Sequence, residues 1–421
     1  MAEMYPTATA ELLGEMSRKA REPAWLSSYR ERAFASYRAL EFETHPLFTR
    51  YVERPRDLAA APPRVLAADP PRGTPPEGAG GSYELADRER VSNACMADHG
   101  LVFLPLSQAV SSRPDLAEAL LSAPLRSQQS DKTGSLARAM AQNGVVVHVP
   151  DGLAVDQPLL VRLAPAGGAV FARVVLSLGR GARASVAVEL APGTGSVLAA
   201  SLEAHVGEGA SLNLSTLQTG ALDATTLAGR DVSLSAHARV SYASVNVGGS
   251  LAKDRLLAHL DGRGSSFEGR ELAFGSGEQR VDSTVQIVHR AAETTSHHLS
   301  KGAHAGRSRS YLKGLITIEN AADESDSYLG QYAMLLSRES RCIAIPSLEI
   351  ESKNVRRAKH AAAVAKIDDE QVFYLQSRGL DRAAAARAIV RGFLDPTLER
   401  VAWTPWREAA GLAIDRRLVG G

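Results

Sequence analysis

The chain has 421 residues, with 48 basic and 47 acidic side chains, so its formal net charge is close to zero. Such a length predicts two or three structural units rather than one small core. Because there is no large cationic excess to displace counterions, the composition argues against nucleic acid as the default partner.

The first predicted element is a helical segment over residues 1–53. An apolar stripe recurs there at intervals of three and four residues, which places its members on one helical face. These residues are Trp25, Tyr29, Ala33, Tyr37 and Leu40. Such a stripe favours packing against the same protein over a ligand site.

Residues 54–81 follow as a predicted linker. They hold seven prolines and few apolar side chains, a composition that is typical of an extended, mobile segment and cannot build a core. Residues 82–143 return to a mixed α/β pattern that leads into the next unit.

Residues 144–366 are predicted to be a β core, because their apolar residues alternate with a period of two and helical signals are absent. Loosely similar glycine turns recur at Gly179, Gly207 and Gly262. The interval between the first two suits one coil of a solenoid, although the later spacing is less regular. The periodicity alone leaves a β-helix and a β-sandwich open.

Residues 367–421 are predicted to form a helical module. Three acidic residues, Asp368, Asp369 and Glu370, suit the positive end of a first helix, and Gly379 supplies its left-handed stop. Asp381 caps an alanine-rich helix, and Pro396 is expected to start another turn.

Several separated segments carry a resemblance to a known family. They are residues 22–34, 146–161 (VVHVPDGLAVDQPLLV), 311–320 (YLKGLITIEN), 326–337 (DSYLGQYAMLLS), 346–350 (PSLEI), the histidine of VRRAKHAAAVAKID, and 373–380 (FYLQSRGL). In this order they resemble the SufB/SufD family, the scaffold proteins of the SUF iron–sulfur cluster assembly system. The resemblance covers nearly the whole chain and is densest over residues 285–393.

This resemblance implies a mainly β protein whose core is a right-handed parallel β-helix flanked by N-terminal and C-terminal helical segments. It also implies a non-catalytic scaffold that works with a SufB-like subunit and with SufC, an ABC-type ATPase docked on residues 367–418. The implied docking candidates are Phe373, Tyr374, Arg378, Ile389 and Phe393. The dipeptide Gly-Lys is absent, which excludes a P-loop, so a partner must hydrolyse any ATP.

His360 is the strongest site candidate, because a neutral imidazole is a good ligand for iron. Its cationic neighbours disfavour the imidazolium form. The family comparison implies that this histidine faces the SufB subunit and assists cluster assembly. The chain has Gln331 and Ala361 where SufB carries a functional cysteine and a glutamate, so it resembles SufD. It departs from many SufD sequences in having Ala358 and Lys359 before the histidine.

Only two cysteines, Cys95 and Cys342, are present, and neither belongs to a CxxC pair. Because a cluster usually needs about four thiolates, we expect none to be tightly bound by the isolated chain. A transient cluster or iron shared with a partner is expected instead. Cys342 is predicted to be a buried apolar residue and is a weaker candidate for contact with sulfur or iron.

Two alternatives remain open. One is a SufB-like or homodimeric scaffold without direct metal chemistry. The other is a polysaccharide-active β-helix using Asp323, Glu324 and Asp326, although a solvated loop explains these carboxylates too. Against the second, the N-terminus shows no secretory signal, and no run of about 18 apolar residues predicts a spanning helix, so a cytoplasmic location is expected.

A cluster of histidines could suggest a further metal site. Its members are His289, His297, His298 and His304. Alternation places the adjacent pair His297 and His298 on opposite faces of a strand. We therefore expect solvated or turn histidines here.

Overall fold

The computed structural model describes residues 5, 8–55, 63–67, 69, 74–93, 100–123, 131–401 and 403–419. Strands account for 42% of the chain and helices for 24%. The prediction of a mainly β protein with a parallel β-helix core and helical segments at both ends is confirmed.

The helices are α1 (Ala10–Lys19), α2 (Ala24–Ala39), α3 (Leu106–Ser112), α4 (Pro114–Leu121), α5 (Lys132–Met140), α6 (Asp369–Ser377), α7 (Arg382–Leu398) and α8 (Thr404–Val419). The strands are β1 (Pro63–Arg64), β2 (Gly81–Leu85), β3 (Glu89–Asn93), β4 (Val102–Pro105), β5 (Asn143–Val149), β6 (Leu159–Leu163), β7 (Ala169–Leu178), β8 (Arg183–Leu190), β9 (Val197–Val206), β10 (Ser211–Gln218), β11 (Thr225–Leu234), β12 (Arg239–Asn246), β13 (Leu251–Leu260), β14 (Ser266–Gly275), β15 (Arg280–His289), β16 (Thr295–His304), β17 (Arg309–Ile318), β18 (Asp326–Leu335), β19 (Arg341–Ile350) and β20 (Arg357–Lys366).

The core is a solenoid of about eight coils, in which each coil contributes one strand to each of two parallel sheets. Sheet A runs from β4 and β5 through the odd-numbered strands to β19, and sheet B runs from β3, β2 and β6 through the even-numbered strands to β20. Val197 pairs with Thr225 in the next coil, which reproduces the interval between the glycine turns at Gly179 and Gly207. Later coils are longer, as the pairing of Arg309 with Arg341 shows.

Alternation decides which side chains fill the solenoid. On β9, Leu198, Leu202 and Val206 point inward and belong to one continuous apolar core with their counterparts on both sheets. Close stacking of the coils also explains a turn glycine. A Cβ on Gly207 would lie 2.6 Å from the carbonyl oxygen of Leu178 in the preceding coil, so only glycine fits there.

The outer face of sheet A is covered by the N-terminal part of the chain. Helix α2 packs on α5, and α5 packs on β7, β9 and β11. After α2, residues 40–55, which we name the strap, extend along the later strands of the sheet. The ring of Phe48 in the strap is fully buried, and His45 contacts Glu349 of β19 at 3.0 Å.

A buried cluster of charges anchors the strap. The Glu43 carboxylate lies 2.5 Å from Lys313 Nζ and 3.3 Å from Arg255, and Lys253 Nζ lies 2.6 Å from Asp282. Although burial opposes ionisation, Lys253 and Lys313 hold the pKa of Asp282 below its usual range. Opposite charges at this distance inside a protein compensate one another, and removal of one leaves an unpaired buried charge.

The C-terminal helices cover sheet B. Val390 and Leu394 of α7 pack with Phe274 and Leu272 on the outer face of that sheet. The predicted cap and stop of α6 are confirmed, because the Asp368 side chain accepts from the backbone N–H of Glu370 and Gly379 has φ of +96°. The expectation that Pro396 starts a separate turn is wrong. Helix α7 continues through Pro396 to Leu398, since a proline this near a helix end removes only one of the last hydrogen bonds.

The predicted linker lies partly outside the described residues, which omit 56–62, 68 and 70–73. Within the described part, Pro63 and Arg64 pair with β7, and Leu66 is buried and held through its backbone by Asn143. The predicted domain boundaries stay predictions. In the described part of the chain, no helix has the length and apolar character needed to cross a bilayer.

Candidate functional site

The candidate site is the end of the solenoid formed by β19 and β20, which we name the open end. Each of these strands is the last of its sheet, so among the described residues neither has a neighbour along its outer edge. Most side chains of β20 are consequently exposed, whereas those of β18, one coil below, alternate between buried and half-buried along most of the strand. A sheet edge of this kind offers unpaired backbone groups to another chain.

His360 occupies the centre of β20 and points into the solenoid. It pairs with Leu329 of β18, which in turn pairs with the fully buried His298 of β16. Residues paired in this way share one face of the sheet. His360 is exposed only because no further coil covers it.

Polar groups lie inside the coils below His360. Glu271 accepts hydrogen bonds from Ser283 (3.1 Å) and Ser300 (3.3 Å), and its carboxylate lies 3.5 Å from His298 Nε2. Burial raises the pKa of Glu271, but the neighbouring His298 outweighs this effect and brings the pKa below its usual range.

Gln331 lies on β18, in the coil directly below His360, and is fully buried. Neither its amide nitrogen nor its amide oxygen makes a hydrogen bond within the described structure. A polar amide without a partner is costly inside a protein, so a hydrophobic core alone does not explain this residue. Gln331 pairs with Ala362 and therefore lies one inward-facing position along the sheet from His360.

The cations around His360 have unequal surroundings. Arg357 donates to Asp326 at 2.9 Å and contacts His297 at 3.2 Å, and Arg356 lies 3.7 Å from Glu324. These two charges are therefore largely compensated. Lys359 is exposed, and none of the described carboxylates pairs with it.

Cys342 belongs to β19 and points inward beside Ser310 of β17. It is half-buried, and burial raises the pKa of its thiol to about 11, although Ser310 opposes this. The thiol is consequently protonated at neutral pH, whereas metals bind the thiolate.

The register also separates Cys342 from His360. Gln218 of sheet B donates a hydrogen bond to Thr226 of sheet A across the interior. Thr226 lies in the same inward-facing column of sheet A as Cys342, and Gln218 lies in the same column of sheet B as Val364. Cys342 therefore stands opposite Val364. Val364 is four residues from His360, or roughly 13 Å along a strand. Cys95, the other cysteine, lies outside the described residues. Within the described residues, no group of three or more His, Cys, Asp or Glu side chains could hold a metal ion.

The histidine cluster is mostly buried, which corrects the expectation of solvated or turn residues. His289, His298 and His304 are fully buried, and only His297 reaches the surface. His289 contacts Thr294 and Ser296 at 2.7 Å each, and burial lowers its pKa to about 4. The rings of His289 and His304 hydrogen-bond to hydroxyl groups, so the interior of the solenoid can hold them.

The three carboxylates of the polysaccharide alternative have structural contacts. Asp323 accepts from Ser352 at 2.6 Å, and Glu324 stands in a turn with φ of +56°. Asp326 accepts from Arg357 and contacts His297. These contacts explain the carboxylates without a catalytic role.

The docking candidates fall into two groups. On α6, Phe373 and Tyr374 have 72% and 57% of their surface exposed, and Arg378 lies over the Tyr374 ring at 5.4 Å. On α7, Ile389 and Phe393 are partly buried, and Lys301 of β16 donates to the carbonyl oxygen of Phe393 and covers its ring at 4.7 Å. The exposed apolar surface is therefore on α6.

Comparison with known proteins gives one matching family model. It is described as the SUF system FeS cluster assembly SufBD core domain, and it matches residues 161–393. The match spans 233 positions (393 minus 161 plus 1), which is more than half of the 421 residues.

Curated relatives carry the same description. An iron–sulfur cluster assembly SufBD family protein of Mycobacterium tuberculosis is 32% identical over 201 residues, which cover 44% of this chain and 51% of the relative. A chloroplastic SufBD family protein of Arabidopsis thaliana is 24% identical over 70% of this chain and 55% of its own. A SufBD family protein of Mycobacterium leprae is 26% identical over 69% of this chain and 76% of the relative. The chain thus spans about half the length of the first two relatives.

Proposed function

Because this chain belongs to the SufBD core family of the SUF iron–sulfur cluster assembly system, we propose that it is a SufD-like scaffold subunit that works with a SufB-like subunit and a SufC-like ATPase. In this role it performs no catalysis. It contributes one side of a shared site in which iron or a nascent cluster is held as cargo. A reducing cytoplasm, where thiols persist, is the location that suits this role.

The observation that carries the proposal is the inward orientation of His360 at the open end. A partner that covers this end would enclose the imidazole between the two subunits. A neutral imidazole can donate a lone pair to iron. Since the chain has two cysteines and Cys342 is held as a thiol, the thiolates that a cluster needs would come from the partner.

Gln331 supports the SufD-like assignment. In the family comparison, it stands where SufB carries its functional cysteine, and it lies in the interior one coil below the open end. An amide cannot act as a thiolate. The two subunits would therefore supply different groups to the shared site, with His360 as the contribution of this chain.

The exposed face of α6 supports docking of the ATPase. Phe373 and Tyr374 present two adjacent aromatic rings to solvent beside the cationic Arg378. Large exposed aromatic groups of this kind are enriched in protein interfaces. Ile389 and Phe393 contribute less accessible surface, so we expect α6 to make the principal contact.

The test is cluster assembly in the three-subunit complex. The complex is reconstituted with iron and sulfide, and the cluster is followed by its visible absorbance and by bound iron. His360→Ala should lower cluster formation while the complex still assembles, and the matched control His297→Ala, on the outer face of the same sheet, should not. Equal cluster formation in both variants would refute the role of His360.

A second measurement tests the scaffold role itself. The isolated chain, supplied with iron and sulfide, should not form a stable stoichiometric cluster. A stable cluster on the isolated chain would contradict the proposal that the site is shared.

A further inference from the structure

Three arginines, which we name the arginine column, stand side by side on the outer face of sheet A. Arg280 begins β15, Arg309 begins β17 and Arg341 begins β19, and the strand register places each directly beside the next. Neighbouring strands lie roughly 4.8 Å apart, so the three like charges repel one another. Such a column lowers stability unless anionic groups compensate it.

The turns that precede these strands add to the positive charge. Residues 276–280, 305–309 and 336–341 together hold five arginines and two glutamates. One of the glutamates, Glu278, already pairs with Arg307. The surface around the arginine column therefore has an excess of positive charge.

The strap covers the first arginine of the column and shows what this surface binds. The Glu53 carboxylate lies 3.3 Å from Arg280 Nη1, and the backbone N–H of Glu53 donates to Asp282 at 2.8 Å. Tyr51 packs edge-on against Tyr311 of β17, with ring centroids 6.0 Å apart. Within the chain, an acidic and aromatic segment is thus the occupant of this face.

The strap leaves the other two arginines uncompensated. Arg309 and Arg341 are exposed, and no carboxylate of the described residues pairs with either. The Arg341 guanidinium donates to the backbone oxygens of Arg338 (2.7 Å) and Ser340 (3.0 Å), which holds its position without neutralising its charge. Ile343, two residues further along β19 and on the same face, has 39% of its surface exposed. Two cations and an apolar side chain therefore face solvent together.

The character of this surface favours a polypeptide over a small anion. The arginine column lies on the face of a sheet, whereas sites for small molecules are concave. Arginine and tyrosine are enriched in protein interfaces. The planar guanidinium group also matches a carboxylate through two parallel hydrogen bonds.

We infer that Arg309 and Arg341 form a docking site for an acidic segment of another protein, which extends the surface that the strap occupies at Arg280. Carboxylates of that segment pair with the two guanidinium groups, and an apolar side chain of the segment covers Ile343. The side chains of the site stand on the outer face of sheet A, whereas His360 points into the solenoid. The inference is independent of the proposed function.

The first experiment uses a defined probe with the full-length chain. The probe is a fluorescein-labelled peptide of alternating glutamate and tyrosine residues, and its binding is followed by fluorescence anisotropy. Binding should be saturable and should weaken as salt is added, because the pairing charges are exposed. A control peptide with glutamine in place of glutamate should not bind. The absence of saturable binding of the acidic peptide would refute the inference.

Substitutions locate the site. Arg309→Gln and Arg341→Gln should each weaken binding of the acidic peptide by about fivefold, and the double variant by about 25-fold. The matched control is Arg239→Gln, because Arg239 also begins a strand, is exposed and lies on the outer face of sheet B. This control should bind as tightly as the wild type. An equal loss in all three single variants would reduce the effect to non-specific attraction and overturn the site.

Stability separates a binding role from a structural one. Because Arg309→Gln removes one of three like charges, its midpoint in urea denaturation should equal or exceed that of the wild type. A lower midpoint would assign the arginine column to the fold and overturn the inference.

Two further measurements test other occupants. Displacement of the peptide by micromolar inorganic pyrophosphate would replace the polypeptide with a phosphate ligand. A dimer of the chain in sedimentation that Arg309→Gln dissociates would make the occupant a second copy. We expect neither result. All of these measurements use the isolated chain, so a failure of cluster assembly would refute the proposed function and leave this inference standing.

Discussion

His360 stands directly beside Leu329 in the inward-facing column of sheet B, as the last member of a column that is otherwise fully buried from Tyr242 onward. The same position would be a core residue in any earlier coil. Its exposure is thus a property of the open end and not of the strand. Substitutions of His360 and Leu329 can therefore distinguish an effect on function from an effect on stability.

His360→Ala should leave the free energy of unfolding within about 0.5 kcal/mol of the wild type, because the ring is exposed. Leu329→Ala, one coil below in the same column, should cost about 2–5 kcal/mol because it opens a cavity in the core. Urea denaturation of the isolated chain measures both. A large loss of stability in His360→Ala would assign the histidine a structural role.

Glu43→Ala should destabilise the chain by about 3–5 kcal/mol, because it leaves the buried Arg255 without its carboxylate partner and leaves Lys313 to share Asp282 with Lys253. Hydrogen exchange should show faster exchange over the strap. The exposed Glu351→Ala serves as the control and should change stability by less than about 0.5 kcal/mol. Slow exchange of the strap in Glu43→Ala would show that the charges do not hold it.

Acid should destabilise the fold below pH 6.5. Burial lowers the pKa values of His289 and His304 to about 4, so the unfolded chain binds protons that the native rings exclude. The free energy of unfolding should therefore fall between about pH 6.5 and pH 4, by roughly 3 kcal/mol for each histidine. Urea denaturation at several pH values measures this fall. In His304→Gln the fall in the free energy of unfolding should be smaller. A fall identical to that of the wild type would contradict the lowered pKa of His304.

Gly269→Ala should destabilise the core, because the added Cβ would lie 2.2 Å from His298 Nδ1 inside the solenoid. The overpacking should cost about 1–3 kcal/mol or more. Gly14→Ala, in the middle of α1 with nothing within 4 Å of the new Cβ, should instead stabilise by about 0.8–1 kcal/mol. Thermal unfolding of the two variants should move in opposite directions, and equal shifts would refute the packing argument.

Phe373→Ala should abolish or strongly weaken binding of the SufC-like ATPase without loss of stability, because the ring is mostly exposed. Leu394→Ala, on the buried face of α7, should cost about 2–5 kcal/mol. Binding is measured by titration calorimetry and stability by urea denaturation. Unimpaired binding by Phe373→Ala would move the docking surface away from α6.

The repeating features of the fold were predictable from the sequence, and the side-chain directions were predictable only in part. Period-two alternation and the regular interval between the first glycine turns indicated stacked coils. Alternation alone gives two opposite faces and does not say which is inside, so the burial of His298 was not foreseen. A signal was present, since Gly269 precedes His298 by about one coil, pairs with it, and leaves room for a bulky ring.

The charged cluster beneath the strap was missed for a different reason. Glu43 and Lys313 are 270 residues apart, and Glu43 lies in none of the segments that carry the family resemblance. Local composition cannot pair residues at that separation. The position of His360 was identified through the family resemblance, but its inward direction required the strand register.

The separation of Glu43 from Lys313 also sets an order for biosynthesis. A ribosome adding about 5–20 residues per second needs roughly 14–54 s to reach Lys313 after Glu43 has been made. During that interval the Glu43 carboxylate lacks its Lys313 partner, while successive coils stack upon one another as they emerge. The contact between the strap and Lys313 can therefore form only after β17 has been made, so complete docking of the strap requires that the coil of β17 is in place.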